Sequence, residues 1–147
     1  QKYSFDPRRL VVELTETALV GRSIDRILEM FAALRGQGIK VALDDFGTGY
    51  SSLSHLRAFD VDKIKIDKSF VGGIGSDPKD EGLVCALIHL ANCFEIEVVA
   101  EGVETATQLG FLEDRGCQYS QGYLHAKPMA RHDLPSYLSG MQSDAMR

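Results

Sequence analysis

Short apolar segments rich in β-branched residues alternate along this chain with longer segments of helical periodicity. That order predicts βα units around a parallel sheet, and hence an α/β fold. Five strands are predicted, at residues 10–14, 40–44, 63–67, 97–101 and 118–121.

Capping residues mark the first two helices between these strands. Ser23 precedes the first helix, which is expected to end at Gly36 and Gly38. The pair Asp77 and Pro78 starts the second helix as a cap followed by a first-turn proline. The apolar stripes of these helices are Ile24, Ile27, Leu28, Phe31 and Leu34, and then Leu83, Val84, Leu87, Ile88, Ala91 and Phe94.

A third helix is marked by a capping box. Thr105 and Gln108 have the spacing of that motif, and Gly116 ends the segment. A short fourth helix is predicted at 133–137, and residues 140–147 are expected to form a frayed tail.

The composition excludes several classes of protein. With 147 residues, of which 44% are apolar and 25% charged, the chain fits one globular domain. Its net charge of -5 argues against a binder of nucleic-acid polymers or of membrane surfaces, which use clustered Lys and Arg. The three cysteines have no C-x-x-C spacing, so neither a disulfide framework nor a zinc site is predicted, and a cytoplasmic location is the default. No apolar run reaches the roughly 18 residues of a membrane span, so no membrane contact is expected.

Ionisable residues stand at the carboxyl ends of four of the five predicted strands. The strings VVELTET and VVAEGVET both place a glutamate at a strand end and a second glutamate three residues later. In a closed β/α barrel these ends gather at one rim, where such enzymes keep their sites. The strand-end residues are Glu13, Asp44, Asp45, Lys65, Asp67 and Glu101.

The carboxylates among these residues predict a metal site. Crowded carboxylates repel one another, and bound cations are the simplest way to balance them. A set of oxygen ligands favours Mg²⁺ or Mn²⁺ over zinc. The adjacent Asp44 and Asp45 suit two ions about 3.5–4 Å apart, as in phosphoryl-transfer sites.

The loop after this aspartate pair is predicted to contact a ligand. Gly47 and Gly49 would let the backbone turn tightly and approach it. Tyr50, Ser51 and Ser52 offer polar or stacking contacts.

Simpler interpretations stay open at this point. Asp44 and Asp45 could only cap a following helix. Lys65 could be a surface lysine. Strand alternation, however, places its side chain on one face of the strand and those of Ile64 and Ile66 on the other. If the isoleucines pack under the helices, Lys65 faces the barrel interior, where an unpaired ammonium is costly and a partner is expected.

The strings ELTE, DDFGTGYSSL, KIKIDKSFV, VVAEGVE and QGY followed by KP occur in this order. Together they resemble the second part of the EAL domain, the bacterial phosphodiesterase fold that hydrolyses cyclic di-GMP to linear pGpG. The resemblance covers residues 10–138. It implies a partial (β/α)₈ TIM-type barrel containing the last five βα units, in a domain portion spanning residues 1–139.

The resemblance also implies a role for each rim residue. Glu13 would be a metal ligand, Asp44 would bridge two metals, and Asp45 would bind the second. Lys65 would contact the attacking water, and Glu101 would hold a metal or its water.

Further roles implied by the family concern the loops. Gln121 would help to position the water or the metal shell, Glu16 would hold the loop after residue 45, and Pro128 would shape the turn after the last strand. The resemblance also implies Mg²⁺ or Mn²⁺ as the ions, cyclic di-GMP as the ligand and a homodimer as the assembly. The loop residues expected near substrate are Phe46, Gly47, Thr48, Gly49, Tyr50 and Ser51.

This sequence departs from the family pattern at its beginning. EAL domains start with three further strands, which carry the Glu-Ala-Leu glutamate, an arginine and an asparagine, and no E-A-L string occurs here. A complete eight-fold barrel needs about 250 residues. We therefore expect a truncated or partnered barrel, with weak or no turnover by this chain alone.

Two other functions are compatible with parts of the pattern. A non-catalytic cyclic di-GMP receptor or protein-interaction EAL module would typically have lost several of the ligands that are present here. An enolase-type barrel would use Lys63 and Lys65 with acidic strand ends. In that class, however, the K-x-K strand precedes the acidic strands, whereas Glu13 and Asp44 come first here.

Overall fold

A computed structural model describes residues 5–15, 18, 23–48 and 53–144, with the backbone alone at 53–55 and 140–144. Its centre is a five-stranded parallel sheet in the order β1-β2-β3-β4-β5. The strands are β1 Val11–Thr15, β2 Lys40–Phe46, β3 Lys63–Ile66, β4 Glu97–Glu101 and β5 Tyr119–Gln121.

Helices connect successive strands, as a parallel sheet requires. They are α1 Ile24–Arg35, α2 Leu53–Ala58, α3 Lys68–Val71, α4 Pro78–Cys93 and α5 Ala106–Glu113. A further helix, α6 Leu134–Asp144, follows β5, and a 3₁₀ turn at Pro7–Arg9 precedes β1. The predicted α/β class and all five strands are confirmed, with strand ends within two residues of expectation. Sequential strand order with intervening helices is the arrangement of a partial β/α barrel, whose edges here are β1 and β5.

One hydrophobic core lies between the sheet and the helices. Ile64 and Ile66 of β3 are fully buried in it, together with Val84 and Ile88 of α4. The predicted placement of both isoleucines under the helices is therefore confirmed. Lys65, between them in the strand, faces the opposite side of the sheet, because successive strand side chains alternate.

The first apolar stripe is only partly correct. Ile27 and Phe31 of α1 are buried, but Ile24 is 47% exposed and Leu28 is 37% exposed. Ser23 is the N-cap residue as predicted, although its side chain makes no capping hydrogen bond.

The capping predictions for α4 and α5 are confirmed. The side chain of Asp77 accepts a hydrogen bond from the backbone N–H of Lys79 at 2.8 Å. Thr105 and Gln108 form both halves of the capping box. Phe94, placed by periodicity on the buried stripe of α4, lies beyond its last turn and is 41% exposed.

Two short helices were not predicted from the sequence, and the last helix is longer than expected. Asp67 caps α3 by accepting from the backbone N–H of Ser69 at 2.9 Å, so it belongs to a helix start and not to the strand-end cluster. The last helix continues through residues 140–144, where the sequence predicts a frayed tail.

None of the helices in the described ranges combines the length and the apolar character of a membrane-spanning segment.

Candidate functional site

Lys65 forms the centre of a charged cluster at the carboxyl ends of the strands. Its Nζ lies 2.7 Å from Oε2 of Glu13, 2.8 Å from Oε1 of Glu101 and 3.0 Å from Oδ1 of Asp44. These carboxylates come from β1, β4 and β2, so four strands meet at one ammonium. The lysine side chain is only 8% exposed. The sequence predicts a partner for this buried lysine, and the structure shows that three carboxylates fill that role.

These contacts keep Lys65 charged. Burial alone lowers the pKa of a lysine, because the charged form loses hydration. Hydrogen bonds to Glu101, Glu13 and Asp44 outweigh that effect and raise the pKa of Lys65 above its ordinary value. The ammonium therefore balances part of the negative charge of the cluster at neutral pH.

An irregularity in β2 brings two adjacent aspartates to the same site. Leu43 pairs with Ile64 and Phe46 pairs with Ile66, so β2 has one residue more than β3 over this stretch. Asp45 has φ of 55°, in the left-handed region that Asp and Asn tolerate better than most residues. Regular alternation would send neighbouring side chains to opposite faces, and the bulge removes that restriction.

The resulting arrangement suits a cation. One carboxylate oxygen from each of Asp44, Asp45 and Glu101 lies within 4.8 Å of the others, and all three residues are partly buried. Carboxylate oxygens without sulfur or imidazole ligands are the donors that hard divalent ions prefer. The residues present therefore fit a divalent metal ion. The predicted convergence is observed for Asp44, Asp45 and Glu101, whereas Glu13 is not in this group and joins the cluster through its contact with Lys65.

The turn after Asp45 is fixed by local contacts. The backbone N–H and the hydroxyl of Thr48 both donate to the carbonyl oxygen of Asp45, at 3.2 Å and 2.8 Å. Gly47 has φ of 98°, and a Cβ there would lie 3.3 Å from side-chain atoms of both Leu87 and Phe70. The close approach at Gly47 is thus made to the protein's own core.

Of the other residues predicted to form or hold this loop, Phe46 lies in the described part of the chain. Phe46 is 5% exposed and belongs to the hydrophobic core, so its side chain is unavailable to a substrate. Glu16, Gly49, Tyr50 and Ser51 lie outside the described residues, and their predicted roles stay predictions.

Gln121 stands beside Glu101 on the neighbouring strand. The two residues are register partners of β4 and β5. They line a cavity of about 370 Å³ together with Lys68, Gly102, Glu104, Gly122 and Tyr123. Pro128 lies instead in an adjoining cavity of about 590 Å³, which shares Gln121 with the first.

Sequence reasoning missed two charged residues of this cavity. Lys68 follows the Asp67 cap that ends the β3 segment, but the helix α3 that positions it was not predicted. Glu104 is the second glutamate of VVAEGVET, which the sequence repeat singles out without assigning it a role.

The fold and the site define a class, that of β/α barrel proteins with an acidic rim whose carboxylates suit a cation. Within that class, the family model described as EAL domain matches residues 1–128, and the chain belongs to this family.

Named relatives agree with this assignment. The chain is 40% identical over 136 residues to the cyclic di-GMP phosphodiesterase NbdA of Pseudomonas aeruginosa, covering 92% of this chain and 17% of that protein. It is 42% identical over 129 residues to the cyclic di-GMP phosphodiesterase PdeR of Escherichia coli, covering 88% of this chain and 19% of that protein. The chain thus spans less than a fifth of the length of either relative.

Solved structures show the same fold. The PaMucR phosphodiesterase in complex with c-di-GMP matches with a TM-score of 0.84 and 37% identity, over 90% of this chain and 53% of that chain. Klebsiella pneumoniae BlrP1 with manganese and cy-diGMP matches with a TM-score of 0.77 and 37% identity, over 84% of this chain and 31% of that one. A second BlrP1 complex contains calcium.

Proposed function

We propose that this chain carries the metal-binding face of a phosphodiesterase that hydrolyses cyclic di-GMP to linear pGpG. The observation that carries the proposal is the convergence of Asp44, Asp45 and Glu101 within 4.8 Å, next to a lysine that contacts two of them. The relatives named as cyclic di-GMP phosphodiesterases supply the substrate class.

The carboxylates would hold divalent ions. Asp44, Asp45 and Glu101 would be ligands, with Glu13 contributing from β1. We propose Mg²⁺ or Mn²⁺ as the working ions, supported by the all-carboxylate donor set. When bound, such ions lower the pKa of water and balance charge on a phosphodiester.

The protein's own residues would position these groups. Lys65 keeps three carboxylates oriented, because its ammonium donates to Glu13, Asp44 and Glu101 at once. Once ions hold these carboxylates, the ammonium would release one of the three contacts and donate to the attacking water instead. Gln121, next to Glu101 across the β4–β5 pair, would orient the same water through its amide.

An assay of products tests the proposal. The chain is incubated with cyclic di-GMP and Mg²⁺ or Mn²⁺, and the nucleotides are separated by chromatography, with Asp44→Asn as the inactive control. Linear pGpG that is lost in the control supports a phosphodiesterase. We expect slow turnover, because in the described part of the chain β1 and β5 are edges of an open sheet.

A binding measurement with cyclic di-GMP distinguishes a phosphodiesterase from a non-catalytic receptor. Cyclic di-GMP that binds in Mn²⁺ but stays intact after prolonged incubation would support the receptor alternative. If cyclic di-GMP does not bind with any of these ions, the proposed substrate is wrong.

We also propose that copies of this protein form homodimers in the cytoplasm. The sheet edges favour association, since Leu10 next to β1 is 42% exposed and Tyr119 on β5 is 46% exposed. The three free cysteines support a reducing compartment. Analytical ultracentrifugation tests the assembly, and a single monomer peak at all concentrations would contradict it.

A further inference from the structure

A second lysine reaches the acidic rim. Lys68 is the first residue of α3, directly after the Asp67 cap, and it is exposed. It lines the cavity of about 370 Å³ that also contains Glu101, Glu104 and Gln121. Of the described residues that line this cavity, Lys68 is the one cation.

Lys65 cannot easily serve a ligand that enters this cavity. A lysine ammonium has three N–H donors. Its Nζ contacts three carboxylates at 2.7–3.0 Å, and its side chain is 8% exposed. A new acceptor would have to displace one of these contacts, and Lys65 does not line the cavity, so Lys68 is the lysine available to a ligand there.

The stem of Lys68 is held by the loop after β4. Gly102 has φ of 70°, and a Cβ at that position would overlap with the Cβ of Lys68 and lie 3.3 Å from its Cα. Only a glycine lets these two segments approach so closely. Because Gly102 follows Glu101 directly, this packing places the Cα and Cβ of Lys68 beside the segment that carries the proposed metal ligand.

Lys68 is the positive charge that can offset the negative charge of the cavity wall when an anionic ligand enters. Cyclic di-GMP carries two anionic phosphodiester groups, and Glu104 on the cavity wall, which is not a proposed metal ligand, would repel them. Building on the proposed function, we propose that Lys68 binds a phosphodiester oxygen of the cyclic dinucleotide. This role is distinct from that of Lys65, which organises the carboxylates.

The test measures binding of cyclic di-GMP in Ca²⁺ by isothermal titration calorimetry. Lys68→Gln keeps the length and polarity of the side chain but removes the charge, and we expect about a tenfold rise in Kd. Lys68→Arg should restore binding to within about threefold of the wild type, since both side chains donate to phosphate. Lys79→Gln on α4 is the matched control, because Lys79 is an exposed lysine outside the cavity lining, and it should bind as the wild type does.

Two further readouts distinguish a direct contact from structural damage. The slope of log Kd against log salt concentration should be smaller for Lys68→Gln than for the wild type. The affinity for Mn²⁺ without nucleotide should stay unchanged, because Lys68 contacts the nucleotide and not the ion.

The outcomes separate this inference from the proposed function. If the wild type binds cyclic di-GMP and Lys68→Gln binds equally well, or if Lys79→Gln weakens binding as much, the inference is overturned and the proposed function stands. A weaker Lys68→Gln with a matching loss of Mn²⁺ affinity also overturns it. If the wild type itself does not bind, the proposed function fails and the inference fails with it.

Discussion

The backbone N–H of Asp45 donates to Oδ1 of Asp44 at 3.1 Å, while Asp45 itself has φ of 55°. The same Oδ1 also lies 3.0 Å from Nζ of Lys65. One oxygen of Asp44 is therefore oriented by two donors, and the adjacent carboxylate is turned towards the same site. A strand with regular alternation could not present two neighbouring carboxylates in this way.

Substitutions at Asp45 should separate the effect of its charge on metal affinity from the effect of its left-handed backbone on stability. Asp45→Asn keeps a residue that tolerates left-handed φ, so we expect Mn²⁺ affinity to fall at least about tenfold with little change in the free energy of unfolding. Asp45→Val should lose the same affinity and also about 1–2 kcal/mol of stability, because a β-branched residue is strained there. Urea unfolding and Mn²⁺ titration measure both effects.

Glu95 provides the control for this prediction. It also has a left-handed φ, of 58°, but lies outside the site. Glu95→Gly should stabilise the protein by up to about 1 kcal/mol and leave Mn²⁺ affinity unchanged. A loss of Mn²⁺ affinity in this variant would mean that the titration reports folding and not ligation.

Lys65→Met should destabilise the metal-free protein. The substitution removes the ammonium that contacts Glu13, Asp44 and Glu101 and leaves mutually repelling carboxylates. Glu13 is 49% exposed, so water screens part of this repulsion, and we expect a loss of about 2 kcal/mol. Chemical denaturation in the presence of a chelator measures it, and unchanged stability would show that the cluster contributes nothing to the fold.

Glu97, at the opposite ends of the strands, should contribute to the pH dependence of stability. Its hydrogen bond with Lys63 is the main cause that lowers its pKa, and partial burial opposes the shift. The unfolded chain therefore takes up this proton at higher pH than the folded protein does. The stability that Glu97 contributes is present above its unfolded pKa, near 4.5, and is lost as the pH falls through its lower folded value.

The variant Glu97→Gln tests this contribution. The carboxylate is 35% exposed, so the expected loss at pH 7 is below about 1 kcal/mol. The difference between wild type and variant in urea unfolding should shrink as the pH falls below the ordinary pKa of a glutamate, and it should disappear below the lower folded pKa of Glu97. An exposed glutamate on α1, Glu29, supplies the control Glu29→Gln, for which no difference is expected at either pH.

The cysteines should differ in reactivity. Burial raises the pKa of the Cys117 thiol, whereas Cys93 is exposed. Since the thiolate is the reactive form, an aromatic disulfide reagent at pH 8 should modify Cys93 at least about tenfold faster than Cys117. Peptide mass spectrometry over time measures both rates. Equal rates would indicate that the β4–β5 edge around Cys117 opens readily.

Much of the fold was predictable because its signals are local. The strands have short β-branched runs, and the caps at Asp77 and Thr105 use side chains close in sequence to the groups that they bind. The interior placement of Lys65 followed from alternation between Ile64 and Ile66. Each of these inferences needs only a few neighbouring residues.

Other features depend on contacts between distant segments. The bulge in β2 shows in its pairing with β3, and the crowding around position 47 comes from Leu87 and Phe70. The helix α3 has four residues, which is too short for a periodic signal. Exposure of Ile24 and Leu28 likewise depends on what packs against α1, which periodicity alone does not specify.

The most direct test of the central claim is calorimetric titration of Mn²⁺ into the metal-free wild type, Asp44→Asn and Glu101→Gln. If Asp44, Asp45 and Glu101 together form the cation site, the wild type binds Mn²⁺ and each variant loses at least about tenfold in affinity. Asp25→Asn, at an exposed position of α1, should bind as the wild type does. Equal affinity in the wild type and both site variants, or no binding by the wild type, would contradict the account.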